Sequence, residues 1–442
     1  MQPICPIGFP SLERIWRDQS PDLYLPQNHL RPRFRPEWNG VLVKVLLSAF
    51  QCCPGMGSEP GNGWQWSKAL ADAGHEVTVL THPDFRERIV AEGRDDIDFQ
   101  FVEQSTTPFG SSKLMRVYDN YRRWQDAAID HAQGMRQEFD VVHHVVWGSL
   151  HLGSKLWRLP APMVYGPIGG GQTAPTNYWR YFGRNWPTEA LRNLATGRLL
   201  ELNPRSRETL QHAAVTLVTN SATEAAARRL GARDIRYFLA EGLPADWIVA
   251  PRRRPSGTPI VFWVGRFLPR KAPMLAVEAF SELRKSMPAR LIMAGDGPLL
   301  ADCREAVGRL GLSRDAEFPG RVPWSQVMEL CDGSSAFLFT SLRDSSGAQF
   351  LEAMGRGLPA VALDHHGIGD LKVGLAAEKV EIPRRPEDLH MRIAASLRTV
   401  LTGDDWEARS AAAVNWAAGH VWPAKAAAAT QIYKEIVSGS QR

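Results

Sequence analysis

The chain has 442 residues, 44% hydrophobic and 22% charged, with 52 Lys and Arg against 47 Asp and Glu for a net charge of +5. These are the proportions of a folded chain with room for two or three domains, which excludes wholesale disorder and fibrous classes. Its 37 Gly and 31 Pro follow no period, so collagen-like and low-complexity classes fall as well, and no apolar run approaches the roughly 20 residues of a membrane-spanning helix.

Residues 1–40 are rich in Pro and Arg without an apolar period and read as an irregular arm. They lack the apolar stretch of a secretory leader, so a cytoplasmic location is expected. Val41–Leu47 is a compact apolar run suited to a buried strand. A Gly/Pro loop, Pro54–Gly63, leads to a helix Trp64–Ala73 capped by Gly74, then to a strand Glu76–Leu80. Further strands are expected at Asp98–Val102, Val141–Val146, Met163–Tyr165, Val215–Val218 and Ile235–Phe238, with helical patterns around Met115–Gln137 and Ala222–Leu230. Ala240–Pro259 holds Gly-Leu-Pro, three consecutive Arg and more Pro, and reads as an interdomain linker.

A second alternation follows. Strands are expected at Ile260–Val264, Arg290–Ala294, Ala316–Phe318, Ala336–Phe339 and Pro359–Leu363. Helices lie between and after them at Met274–Lys285, Leu299–Leu310, Trp324–Cys331 and Phe350–Arg356. Pro386–Val437 is Ala-rich and reads as helical throughout. Alternating strands and helices with short loops imply an α/β chain of two Rossmann-like, doubly wound domains facing a cleft, where the strands' carboxyl ends bind ligands. The expected boundaries are 41–245 for the N-terminal domain and 246–420 for the C-terminal one. A C-terminal helix over 421–442 has the option of crossing back.

Five cysteines form no CxxC pair: Cys52 and Cys53 are adjacent, and Cys5, Cys303 and Cys331 are isolated. Buried thiols are expected rather than disulfides or zinc ligands. Basic residues outnumber acidic ones by about six between Tyr178 and Arg254, a region suited to anionic lipid, a phosphorylated substrate or nucleic acid. Within it, Tyr178–Trp186 mixes aromatic and Arg side chains. That composition fits interfacial membrane anchoring or interdomain packing.

Several clusters can carry chemistry. In Val264–Lys271, Gly265 ends a strand and Arg266 and Lys271 stand in the loop before a helix, an arrangement suited to a diphosphate or to plain solvated charges. In Ser341–Met354, Asp344 precedes Ser345, Ser346 and Gly347, whose backbone N–H groups suit a phosphate, and Glu352 falls one to two turns into the following helix. The alternative there is an N-cap plus a surface Glu. The turn around Gly61 and Gly63 fits neither a Walker loop nor GxGxxG, and Gly295–Pro298 reads as a tight turn. His143 and His144 end a buried strand, where one imidazole can face the cleft or both can be hydrogen-bonded in the core. Tyr165–Gln172 is a Gly-rich lid or a mere connection.

Taken together, "VGRFLPRKAPMLAVEAF", "LIMAGDGPLL", "FPGRV" and "SLRDSSGAQFLEAMGRGLPAVALD" resemble the retaining glycosyltransferases of the GT-B fold, family 4 (group 1). "LLSAFQCCPGMGSEPGNGWQWSKALADAGHEVTVLT" and "VYGPIGGGQ" resemble one bacterial branch of that family. The resemblance covers residues 41 to 437. It implies that Arg266 and Lys271 hold the diphosphate of a nucleotide-sugar beside Gly265, and that Arg321 and Val322 cradle the base. Glu352 binds the ribose, and Asp344, standing where Glu is usual, touches the donor sugar with Ser345, Ser346 and Gly347 close by. His144, with His143 as runner-up, contacts the sugar, although many members carry a His where Val145 stands. Gly61 and Gly63 admit phosphates and acceptor.

No metal and no cofactor are implied, and retention through same-face attack needs no nucleophile. The implied partners are a nucleotide-diphosphate sugar and a glycan or polyprenyl-diphosphate-linked acceptor in exopolysaccharide or lipopolysaccharide assembly. Peripheral contact with an anionic membrane goes with such an acceptor; nucleic acid is not implied. The alternatives are a nucleotide-sugar-binding protein without transfer activity and a nucleotide-sugar epimerase. A dehydrogenase is disfavoured because no GxGxxG follows either first strand.

Overall fold

The computed structural model describes residues 42–104, 113–197 and 199–440; the arm expected at 1–40 lies outside them. Seven strands form the first sheet: β1 (Lys44–Ser48), β2 (Glu76–Thr81), β3 (Ile97–Phe101), β4 (Val141–His144), β5 (Met163–Ile168), β6 (Val215–Val218) and β7 (Ile235–Tyr237). Their order is β3-β2-β1-β4-β5-β6-β7, and all pairs are parallel. The second sheet holds β8 (Ile260–Val264), β9 (Arg290–Ala294), β10 (Ala316–Gly320), β11 (Ala336–Phe339), β12 (Ala360–Leu363) and β13 (Ala377–Val380), in the parallel order β10-β9-β8-β11-β12-β13. The two doubly wound domains implied by the sequence alternation are therefore present. Central strands such as Val45-Leu46-Leu47 and Ala336-Phe337-Leu338 are buried on both faces, which is why they read as unbroken apolar runs. Strand order reverses beside β1 and beside β8. The loops leaving β1 and β4, and those leaving β8 and β11, diverge there and open a crevice at the strands' carboxyl ends.

Several expected boundaries move. The first helix runs Ser58–Asp72, so the loop expected to last until Gly63 ends at Gly57. Pro60 fits its first turn, where no intrahelical N–H is needed. Gly61 and Gly63 are helical and lie against the loop after β1: a Cβ at Gly61 would stand 1.9 Å from the Met56 carbonyl oxygen, and one at Gly63 2.2 Å from that of Gln51. β5 continues through Gly166-Pro167 to Ile168, shortening the Gly-rich loop. The Ala-rich tail is three helices, Leu389–Thr402, Trp406–Ala418 and Trp422–Ser440, interrupted around Gly403 and Gly419. β13 and the helices Trp186–Thr196, Pro204–His212 and His366–Asp370 were not expected.

The last helix packs on the first. Trp422, Ala426, Ile432 and Tyr433 share a core with Trp64, Trp66 and Leu70. Its approach runs beside the interdomain linker, with Leu243 N–H donating to the His420 carbonyl at 3.1 Å and Trp422 N–H to that of Leu243 at 2.9 Å. Lys425 is buried at this crossing, its Nζ donating to the Leu239 carbonyl and lying 4.2 Å from the Phe238 ring centroid. Burial brings its ammonium down to about 7. Cys52, Cys53, Cys303 and Cys331 are buried thiols outside any disulfide; Cys5 lies outside the described residues. Among those residues no helix is long and apolar enough to cross a membrane.

Candidate active site

The loop leaving β8 carries the first cations. Phe267 N–H donates to the Asp296 carbonyl at 2.8 Å, and a Cβ at Gly295 would stand 1.9 Å from the Gly265 carbonyl oxygen. The Gly295–Pro298 turn thus braces Gly265–Phe267 by close approach. Arg266 is exposed on this loop. A 3-10 turn over Pro269–Lys271 and a left-handed Ala272 (φ 45°) then bury Lys271 before the helix Pro273–Arg284 begins.

The loop leaving β11 comes to meet it. Leu342 N–H donates to the Arg270 carbonyl at 2.9 Å, and the Thr340 hydroxyl to that of Lys271 at 2.9 Å. These bonds aim Asp344 at the cations: its carboxylate pairs with the Lys271 ammonium and lies 3.6 Å from the Arg270 guanidinium. Lys271 also donates to Gln349 Oε1 at 3.2 Å. Burial works to raise the Asp344 carboxyl, yet Lys271 and Arg270 hold it below the ordinary carboxylate range. Burial pulls the Lys271 ammonium down, against the attraction of Asp344. Arg270 shares the cluster that sequence reasoning assigned to Arg266 and Lys271 alone. Its adjacency to Lys271 in a turn was the available signal.

Asp344 Oδ1 accepts from Ser345 N–H at 3.0 Å, Ser346 is buried, and Gly347 (φ 74°) opens the helix Ala348–Gly355. Gly169, after β5, comes close enough that a Cβ there would stand 3.1 Å from Ser345 Cβ, so the Gly-rich loop lies against the loop leaving β11. Asn220 Nδ2 donates to the Ser345 carbonyl at 3.1 Å, another contact across the cleft. Glu352 Oε1 accepts from Trp324 Nε1 at 3.3 Å, and burial, with the charge of Glu241 adding, pushes its carboxyl up to about 7. Arg321 is exposed after β10, and the half-buried Val322 packs on the core that holds Trp247.

Two cleft carboxylates escaped the sequence reading. Glu59, at the start of the first helix, accepts from Trp147 N–H at 2.9 Å and is raised to about 6, mainly by burial and further by Glu241. Glu241, on the linker, is raised by burial and by Asp344. Neither stands in a run that marks it: Glu59 sits in an apparent loop and Glu241 in a stretch that reads only as a linker.

The histidines do not face the cleft. Both are fully buried. Tyr433 of the last helix covers one face of β4, where the Tyr433 hydroxyl meets His143 Nδ1 at 2.5 Å and His143 Nε2 donates to the Gly166 carbonyl at 2.7 Å. Tyr121 covers the other face, its hydroxyl 3.0 Å from His144 Nε2. Burial lowers His143 to about 3 and His144 to about 4, so both stay neutral near pH 7. The core-histidine alternative describes them. For Gly61 and Gly63, too, the geometry accounts for glycine through close packing within the N-terminal domain.

Tyr178–Trp186 also resolves between its two readings. Tyr178, Tyr181 and Phe182 are buried in the C-terminal domain's core beside Trp263 and Leu275. These three rings serve interdomain packing and are not available as membrane anchors, while Trp179 between them is exposed. Among the described residues, no group of three or more His, Cys, Asp or Glu is placed to hold a metal ion.

Residues 248–399 match the family model of glycosyl transferases group 1. That span contains Arg266, Arg270, Lys271, Asp344 and Glu352. The 2-deoxystreptamine glucosyltransferase of Streptomyces kanamyceticus is 24% identical over 321 residues, covering 69% of this chain and 80% of that protein. The sucrose-phosphate synthase of Thermosynechococcus elongatus superposes with a TM-score of 0.61 at 18% identity, over 89% of this chain and all but 1% of that one, since 99% is covered. Anabaena HepE, solved in complex with UDP, gives 0.59 at 14% identity, over 89% of this chain and 100% of that one. The protein thus has the GT-B glycosyltransferase fold, and its C-terminal domain is a group 1 glycosyltransferase domain.

Proposed function

We propose that this protein is a retaining hexosyltransferase of family 4 that moves a sugar from a nucleoside diphosphate to a hydroxyl of a glycan or lipid-linked acceptor. The observation that carries this reading is the convergence of Lys271, Arg270 and Asp344 at the ends of β8 and β11, with the half-buried Glu352 on the helix that follows. As the glycosidic bond to the donor phosphate breaks, charge gathers on the departing diphosphate. Cations already fixed in place stabilise that charge more than they stabilise the intact donor. Arg266, exposed on the same loop, extends the cationic surface, and Glu352 accepts from the ribose hydroxyls. Asp344 orients the sugar, and the acceptor attacks from the face the diphosphate leaves, with a donor phosphate oxygen taking its proton. No step draws on a metal or cofactor, so activity is expected to survive EDTA.

A panel of UDP-, GDP- and ADP-sugars read by thermal shift tests the reading, because a ligand that binds only the folded state raises its melting temperature with occupancy. The hit is then assayed for transfer and for hydrolysis without acceptor. Absence of any shift across the panel would remove the donor assignment. Turnover of the donor alone into its epimer would favour the epimerase.

Assembly of exopolysaccharide or lipopolysaccharide at the inner face of the plasma membrane is the setting we infer. What supports membrane contact is the solvent-facing stripe of Leu191, Leu194, Leu199 and Leu202, flanked by exposed Arg184 and Arg205. Flotation with anionic vesicles at low salt checks it, and a protein that stays at the bottom of the gradient removes the claim.

A further inference from the structure

Residues 173–196 leave the N-terminal domain after β5 and return to it at the turn Leu199–Leu202, whose Leu200 packs in that domain's core. In between they dock on the other domain. The Tyr178 hydroxyl donates to the Pro383 carbonyl at 2.8 Å, and the Tyr181 hydroxyl to Glu278 Oε2 at 2.6 Å. Trp186, which opens the following helix, packs against the same C-terminal core. One turn later stands Glu189, only 8% exposed.

Glu189 takes Arg343 as a two-point ion pair, Nη2 to Oε2 at 3.1 Å and Nε to Oε1. Arg343 is the neighbour of Asp344 in the donor-side loop, and its N–H donates to the Arg270 carbonyl at 3.3 Å. The neighbourhood is crowded with positive charge: Arg192, which stands 3.9 Å from Glu189 Oε1, and Arg270 both feel Arg343 and Glu189, while Arg270 and Lys271 hold Asp344. An exposed pair here would contribute little. This one joins a buried Glu189 to a largely shielded Arg343 and is bidentate, so it fixes the direction of the guanidinium. Remove Glu189 and Arg343 loses its two-point partner, with the carboxylate of its own chain neighbour, Asp344, standing in the same cluster of charges. Arg343 then competes with Lys271 and Arg270 for it.

We propose that Glu189 is a positioning residue: from the N-terminal segment that crosses the cleft, it holds Arg343 away from Asp344 and leaves Asp344 to Lys271 and Arg270. The inference rests on reading the cleft as a nucleotide-sugar site. It assigns a task in donor handling to a crossing segment whose composition left membrane anchoring and interdomain packing both open.

Competition for Asp344, rather than mere tethering of two domains, gives the experiment its form. In the full chain, Glu189→Gln should lower kcat about tenfold or more with the donor found by the panel, while the affinity for the free nucleoside diphosphate stays within about threefold. Glu189→Gln/Arg343→Gln removes the competitor with the holder, and its kcat should return to within about threefold of wild type. Hydrogen exchange over Ser341–Gly347, read without ligand, should accelerate about tenfold in the single variant and recover in the double, with β1 and β4 unchanged. A single variant with wild-type kcat, or a double no better than the single in both readouts, overturns the proposal. Should wild type turn over no nucleotide-sugar, the functional reading falls instead, and the exchange comparison still decides whether Glu189 holds Arg343 off the loop.

Discussion

Lys271 and Asp344 are each other's principal partner in the unliganded cleft, and this sets what their removal does. Lys271→Ala should lower turnover by about 10²-fold or more through lost stabilisation of the leaving diphosphate. It should also cost about 3 kcal/mol of stability, because Asp344 keeps its burial and loses its nearest cation. Urea unfolding beside steady-state kinetics separates the two effects. Arg270→Ala is expected to follow the same pattern more weakly, since its contact with Asp344 is longer. On the proposed reading Glu352, raised to about 7, makes the donor site sensitive to mild acid. Below that value the folded carboxyl is protonated and gives up an acceptor for the ribose. Donor affinity should therefore fall from pH 8 to pH 6, and Glu352→Gln should flatten the titration measured by calorimetry. His143 and His144 supply no such limb. Their folded values lie below the unfolded 6.5, so the stability they contribute is complete above pH 6.5 and is lost as pH falls through about 4 and 3. The melting temperature should drop over that window and not between pH 7 and 8. A sequence cannot separate such imidazoles from catalytic ones, because both sit at the end of a buried strand. What decides is the cover that Tyr433 supplies from 290 residues away.

Among the elements, the parallel strands were the most legible, since burial on both faces leaves an apolar run bounded by loops. β13 was not, because Ala377-Glu378-Lys379-Val380 at a sheet edge carries no such run. The first helix was read six residues short, because glycines that serve close packing look like glycines that serve a loop. The crossing segment was ambiguous for a related reason. Rings that fill a neighbouring domain's core and rings that would enter a lipid headgroup layer have one composition. The final helix belongs to the first domain's packing although it lies last in the chain. Tyr433→Ala should cost about 3–5 kcal/mol in urea unfolding, combining an aromatic-sized cavity with an unpartnered His143. Tyr433→Phe should cost about 1 kcal/mol.

For the whole molecule, the geometry of the cleft is governed by three passages of chain between the domains: the linker, the return at Leu243 and Val421 beside it, and the crossing segment on another side. Opening the cleft at that last side means withdrawing Tyr178, Tyr181 and Phe182 from an apolar core, at about 1.5–3 kcal/mol for each fully buried aromatic. The cleft is therefore expected to stay closed along this edge. Small-angle scattering should show a larger radius of gyration for Tyr181→Ala/Phe182→Ala than for wild type, and equal radii would argue against the crossing segment as a restraint. The linker's course has a separate result for limited proteolysis. Arg253 is exposed while the flanking Arg252 is anchored by carbonyls of Cys331, Arg356 and Ser334, so trypsin has one accessible bond there. A single cut leaves the last helix covalently joined to the C-terminal fragment and packed on the N-terminal one, so the two pieces should migrate together on gel filtration and part only under denaturant.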